Sequence, residues 1–167
     1  GYLADGTTDE QLVKDAVAAA DKASVVVVNI GISGKMAGED RALANINISE
    51  GQLRLLRALQ KQGRPVIALV SSGRPLVLTN IQDLTTAIVQ TWILGTETGT
   101  AVAAMLAGDY NPSAKAVMSF PYALGQVPVY YNHFNTNRPA PETGDASWKS
   151  RYRDIPNEPL YPFGYGL

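Results

Sequence analysis

The sequence predicts an α/β fold: a three-layer α/β/α sandwich with a mainly parallel sheet, followed by an extended Pro/Tyr-rich C-terminal segment. Three observations point there. Segments with apolar residues at helical spacing alternate with short, continuous apolar runs. The runs "SVVVVNI" and "PVIALVS" are rich in β-branched residues, which suits strands covered on both faces, as in a parallel sheet. All but Pro65 and Pro75 of the chain's 10 prolines lie between Pro112 and Pro162, where the alternation stops.

In chain order, residues 9–23, "DEQLVKDAVAAADKA", place Leu12, Val13, Ala16, Val17 and Ala20 on one helical face. Asp9 and Glu10 sit at the end where carboxylates favour the helix dipole. The valine run follows as the first strand. Residues 50–62 are helical again, with Leu53, Leu56 and Leu59 on one side, a Ser49/Gln52 capping-box pattern at the start and Gly63 as the stop. "PVIALVS" is the second strand and "TTAIVQTWI", residues 85–93, the third. "TETGTAVAAMLAG" is a helix ended by Gly108, and "AKAVMSFP" is a fourth strand closed by Pro121. The sandwich is expected over 1–120, with the extended segment 121–167 packing on it, because its aromatic residues need a surface.

Bulk composition limits the function classes. A chain of 167 residues with 46% hydrophobic content is the size of one domain with a substantial core. Lys and Arg number 14 against 15 Asp and Glu, for a net charge of -1, and the basic residues are scattered. Nucleic acid is therefore not an expected partner. There is no cysteine, which excludes a disulfide scaffold and a thiolate metal site. No apolar run approaches membrane-spanning length, and residues 1–20 carry no leader pattern, so a soluble chain is expected, with any export signal outside it.

Two short motifs resemble nucleotide sites and fail on inspection. "GISGK" lacks the first glycine of a phosphate loop and has Met36 where a hydroxyl belongs. "GTETGTA" follows a strand as a dinucleotide fingerprint does, but Glu97 would bring a carboxylate to the pyrophosphate position. Its glycines are better explained by close helix packing, and no cofactor is expected.

The segments "SSGRPLVL", "TWILGTETGTAVAAMLAGDYNPSAKAVMSFPYALGQVPVYYNHFNTNRP" and "LYPFGYGL" closely resemble the C-terminal α/β-sandwich domain of glycoside hydrolase family 3, notably its bacterial periplasmic-type β-glucosidases. The resemblance spans nearly the whole chain. It implies an active site shared between this sandwich, whose loop supplies a glutamate acid/base, and a TIM-like barrel, absent from these residues, that carries the aspartate nucleophile. It also implies a β-glucoside or oligosaccharide as substrate and a periplasmic or secreted location. Aligned back from Gln52 without a gap, Glu39 in "GISGKMAGEDRALANINISEGQ" falls on the acid/base position. Four neighbours depart from the family pattern: Ile32 replaces a glutamate, Leu43 an arginine, Asn45 an aspartate and Ser49 a proline.

Retaining glycoside hydrolysis needs two carboxyl groups about 5 Å apart, one nucleophilic and one that first protonates the leaving oxygen and then activates water. An acid working near neutral pH has to be kept protonated by desolvation or neighbouring negative charge. Without the resemblance, Glu39 would read as one more solvated loop carboxylate.

The other polar candidates carry structural expectations. Asp40 and Arg41 are expected to pair or to orient Glu39, Arg74 to bond loop carbonyls, Asp109 to hold the "NPS" turn through its side chain, and the lone His133 to pack among Tyr130, Tyr131 and Phe134. A metal site is not expected, because no second His or Cys can join His133. Trp92 and Tyr110 are read as buried packing before sugar-stacking surfaces. Two rival classes stand beside the hydrolase domain: a catalytically silent carbohydrate-contacting or interaction module of the same family, and an unrelated flavodoxin-like binding domain. Compared with the family pattern, a strand is expected to be missing ahead of residue 9, leaving "SVVVV" to be flanked by another segment of the same protein or a partner chain.

Overall fold

The computed structural model describes residues 1–134 and 151–167. Helix α1 spans Glu10–Ala20 and starts where expected, with the Asp9 side chain accepting from the Leu12 amide. Strand β1 spans Val26–Gly31, α2 spans Glu50–Gln60, β2 spans Val66–Ser71, β3 spans Ala87–Gln90 and α3 spans Thr98–Ala107. Short 3₁₀ turns at Thr79–Leu84 and Gly95–Glu97 lead into β3 and α3.

The strands form one parallel sheet in the order β1-β2-β3, with Val26 opposite Val66 and Ile67 opposite Ala87. Parallel neighbours need crossovers, and α2 provides the first. On one face Val28, Ile30, Val66, Ala68 and Val70 are buried against Leu53, Leu56 and Leu59 of α2, with Val13 and Ala20 of α1 buried as well. Helix α3 stands over the other face, leaving a cavity of about 380 Å³ lined by Asn29, Leu69, Ser71, Thr91 and the α3 residues Val102 and Leu106. The chain is an α/β sandwich, as the alternation predicted.

Three expectations are corrected. "SVVVV" is not covered on both faces by the described residues: Val25 and Val27 are 46% and 45% exposed; among the described residues β1 also pairs with β2 alone, which leaves open the edge where a flanking segment is expected. A valine run encodes burial that this part of the fold does not itself complete. The fourth strand does not join the sheet. Between Pro112 and Pro121 the backbone instead meets the chain's end, with the Ala116 amide donating to Tyr165, Gly164 to Ala116, and Phe120 to Tyr161. Third, β3 stops at Gln90, because Trp92 adopts a left-handed backbone (φ 53°) that an extended strand cannot contain.

The described part of the C-terminal segment is fastened by polar and aromatic contacts. The buried Gln126 side chain accepts from the Tyr122 amide and donates to the carbonyls of Pro156, Asn157 and Glu158. Trp92, Phe120, Tyr161 and Tyr165 form a run of adjacent rings with successive centroids 5.8, 6.1 and 4.8 Å apart. Residues 135–150 of the expected segment lie outside the described residues.

Candidate active-site loop

All three strands point the same way, so three loops meet at their carboxyl ends: residues 32–49 after β1, Ser72–Arg74 after β2 and Thr91–Leu94 after β3. Side chains tie this edge together. Ser71 Oγ donates to Asn29 Oδ1 at 2.8 Å and lies 3.1 Å from Thr91 Oγ1, while Thr91 donates to the Val70 carbonyl.

The first loop springs from Gly31. This residue has φ 130°, and a Cβ there would lie 2.0 Å from the Ser71 carbonyl oxygen, so only glycine fits between β1 and β2 at this point. Gln52 holds the same residue from the helix side. Its amide accepts from the Gly31 N–H at 3.0 Å and donates to the Gly31 carbonyl at 2.7 Å. Half of the expected capping box is therefore present. Ser49 Oγ accepts from the Gln52 amide at 3.4 Å, but the Gln52 side chain reaches β1 instead of turning back to Ser49. Both groups of Gly31 lie 21 residues away in sequence, and no local signal could reveal them.

Gln52→Leu should destabilise the domain by about 1–3 kcal/mol for each Gly31 group left without a partner, whereas loss of an exposed glutamine changes stability by about 0.5 kcal/mol or less. The midpoint of urea unfolding measures the difference, and an unchanged midpoint contradicts the role.

Beyond Gly31 the loop runs through two turns. The Ser33 carbonyl accepts from the Met36 and Ala37 amides, and the Gly38 carbonyl accepts from the Arg41 amide at 3.2 Å. Ser33 Oγ donates to the Ala4 carbonyl at 2.5 Å, and Tyr2 donates to the Asn29 carbonyl at 2.9 Å, so residues 1–6 buttress the loop's root around a cavity of about 160 Å³. Burial pushes the Tyr2 phenol up from its ordinary pKa.

Glu39 occupies the first central position of the Gly38–Arg41 turn. It is exposed, and its carboxylate makes no hydrogen bond or ion pair among the described residues. Asp40 and Arg41 do form the expected pair, but a loose one at 3.8 Å between exposed groups, worth little in water. Arg41 also donates from Nη1 to the Lys35 carbonyl.

The remaining candidates differ from expectation in their partners. Around Ser72 it is the backbone of Arg74 that bonds, its amide donating to Ser72 Oγ and its carbonyl accepting from it, while the guanidinium makes no hydrogen bond among the described residues. His133 is exposed instead of packed, with Nδ1 3.2 Å from the Phe134 carbonyl oxygen. Asp109 contributes its backbone amide, to the Ala104 carbonyl, and not its side chain. Trp92 is half-buried against Phe120, and Tyr110 remains 48% exposed while donating to the Ala101 carbonyl. Among the described residues no group of three or more His, Asp or Glu side chains is placed to hold a metal, and no helix is long and apolar enough to cross a membrane.

The pattern of the glycosyl hydrolase family 3 C-terminal domain matches residues 3–167. Over 163 residues the chain is 45% identical to the periplasmic beta-glucosidase of Salmonella typhimurium, which covers 98% of this chain and 21% of that protein. It is 39% identical over 153 residues to the beta-xylosidase of Formosa agariphila, covering 92% of this chain and 20% of the relative. The fold matches the beta-glucosidase of Listeria innocua crystallised with gluconolactone at a TM-score of 0.89 and 41% identity, over 95% of this chain and 22% of that one. The chain thus spans about a fifth of the length of these relatives. With the parallel sheet, the loop at its carboxyl edge and a match across nearly every residue, this chain belongs to glycosyl hydrolase family 3 and corresponds to its C-terminal domain.

Proposed function

We propose that this domain supplies Glu39 as the general acid/base of a retaining β-glucosidase-like hydrolase, in an active site shared with a TIM-like barrel of the same polypeptide that carries the nucleophilic aspartate. The observation that carries the reading is the placement of Glu39. Its carboxylate stands at the tip of a turn, unpartnered among the described residues, on the loop leaving the first strand at the carboxyl edge of a parallel sheet, where α/β folds bind ligands. An acid serving a substrate has to be free of competing partners and then enclosed; a second surface closing over the loop would exclude water and keep the acid protonated. The substrate class is a β-glucoside or oligosaccharide, and the location periplasmic or secreted, in line with the name of the Salmonella relative.

In this reading residues 1–120 form the sandwich and 121–167 a segment strapped over it. The open side of β1, with Val25 and Val27 exposed, is taken by another segment of the same protein or by a partner chain. A specific observation also supports a second reading, a catalytically silent carbohydrate-contacting module: Ile32, Leu43, Asn45 and Ser49 all depart from the family pattern around Glu39.

Half of a two-carboxylate mechanism cannot turn over. The isolated 167-residue chain should therefore show no hydrolysis of aryl β-glucosides, while the longer polypeptide containing it hydrolyses them. Turnover by the isolated chain above that of its Glu39→Gln variant would show that the site is not shared. An inactive longer polypeptide with its barrel aspartate intact would favour the silent module.

A further inference from the structure

We propose that Arg41 is the positioning residue of the acid/base loop, fixing the turn on which Glu39 is presented; this rests on the assignment of Glu39 as the acid/base. Among the described residues Glu39 has no hydrogen bond of its own, so its anchoring comes from the backbone of its turn. Among the described residues, the only hydrogen bonds made by residues 38–44 involve Arg41 or its turn partner Gly38. The Arg41 amide closes the turn onto the Gly38 carbonyl at 3.2 Å. Its guanidinium reaches back six residues to the carbonyl of Lys35, a central residue of the preceding turn. Between these contacts the arginine stem lies across Gly38, where a Cβ would come within 3.3 Å of Arg41 Cδ.

Arg41 thereby closes residues 35–41 into a ring and joins the two turns into one unit. Glu39 is inside that ring. The Nε side of the same guanidinium faces Asp40 at 3.8 Å, and its rigid planar fork holds the carbonyl and the carboxylate at fixed angles to each other, which a compact ammonium on a flexible stem does less well. The pair with Asp40 is too exposed to stabilise the fold, with 52% of the Arg41 side chain and 90% of the Asp40 side chain accessible. Its consequence is orientation. Loosening the ring lets Glu39 wander from the leaving oxygen, and a misplacement of about 1 Å can cost roughly 100-fold in rate.

The test uses the intact polypeptide and a series of aryl β-glucosides whose phenols span poor to good leaving groups. Arg41→Met keeps the stem over Gly38 and removes the guanidinium. It is expected to lower kcat/KM by roughly 10- to 100-fold for the poor leaving groups and by much less for the activated ones. Arg41→Lys should recover part of that loss. Because Arg41 acts through Glu39, the Glu39→Gln/Arg41→Met double variant should be no slower on poor leaving groups than Glu39→Gln alone. An equal loss across the series, no loss at all, or additive losses in the double variant each overturn the proposal while leaving Glu39 in place. If Glu39→Gln itself shows no dependence on the leaving group, the acid/base assignment fails first and the role of Arg41 falls with it.

Discussion

Replacing Glu39 by Gln in the intact protein is expected to slow hydrolysis of β-glucosides with poor leaving groups by roughly 100- to 10,000-fold, and to slow glycosylation by activated aryl glycosides far less. The difference arises because an alkoxide-like leaving group must gain a proton as its bond to the sugar breaks, whereas a nitrophenolate leaves without one. Gln is nearly the same size as Glu and keeps hydrogen-bonding capacity, so the change removes proton transfer with little change of shape. The deglycosylation step loses its base as well. A small anionic nucleophile such as azide, which needs no deprotonation, should therefore accelerate turnover of activated substrates by the Glu39→Ala variant and give a glycosyl azide of retained configuration. The limb of the pH profile that reports the acid should flatten in either variant. Equal losses on both substrate classes, or none on either, would remove Glu39 from the mechanism.

Gly31→Ala is expected to destabilise the domain by about 3 kcal/mol or more, since it combines a backbone conformation unfavourable to any side chain with a clash that nothing can relieve. The new methyl group would lie 2.0 Å from the Ser71 carbonyl oxygen, which belongs to a paired strand. Relief would need β1 and β2 to separate at their carboxyl ends, where the loop with Glu39 begins. Gly63→Ala provides the control. Its φ of 68° is also positive, but no atom lies within 4 Å of the added group, so a cost of about 1 kcal/mol is expected from the backbone alone. Denaturant unfolding of the two variants against the parent measures both values. Equal effects would mean that the close approach of β1 to β2 does not matter.

The two predictions are linked through Gly31. It is locked by Ser71 from the neighbouring strand and by both polar atoms of the Gln52 side chain from α2, so the root of the loop is rigid. The tip is different: Glu39, Asp40 and Arg41 are exposed and touch the sandwich little. A rigid root with a solvent-facing tip suits a loop completed by another surface.

What the sequence determined by itself is local or patterned. The starts of α1 and α2 follow from side chains at Asp9 and Ser49 that bond amides three residues on, and the end of α3 from Gly108, whose left-handed backbone (φ 84°) is open to glycine at little cost. Strands β1 and β2 were legible from runs of β-branched residues, and Glu39 was singled out as a candidate by its alignment with a family pattern. Tertiary structure alone decided the rest. It set Gln52 on Gly31 across 21 residues and Gln126 on carbonyls 30 to 32 residues away, and it paired residues 116–120 with the chain's end instead of with the sheet. Among the described residues it also left Val25 and Val27 of the valine run exposed. The physical reason is range: caps and periodicity act within one or two turns of backbone, whereas an amide's partner and a strand's neighbour depend on which distant segments the packed core brings within about 3 Å.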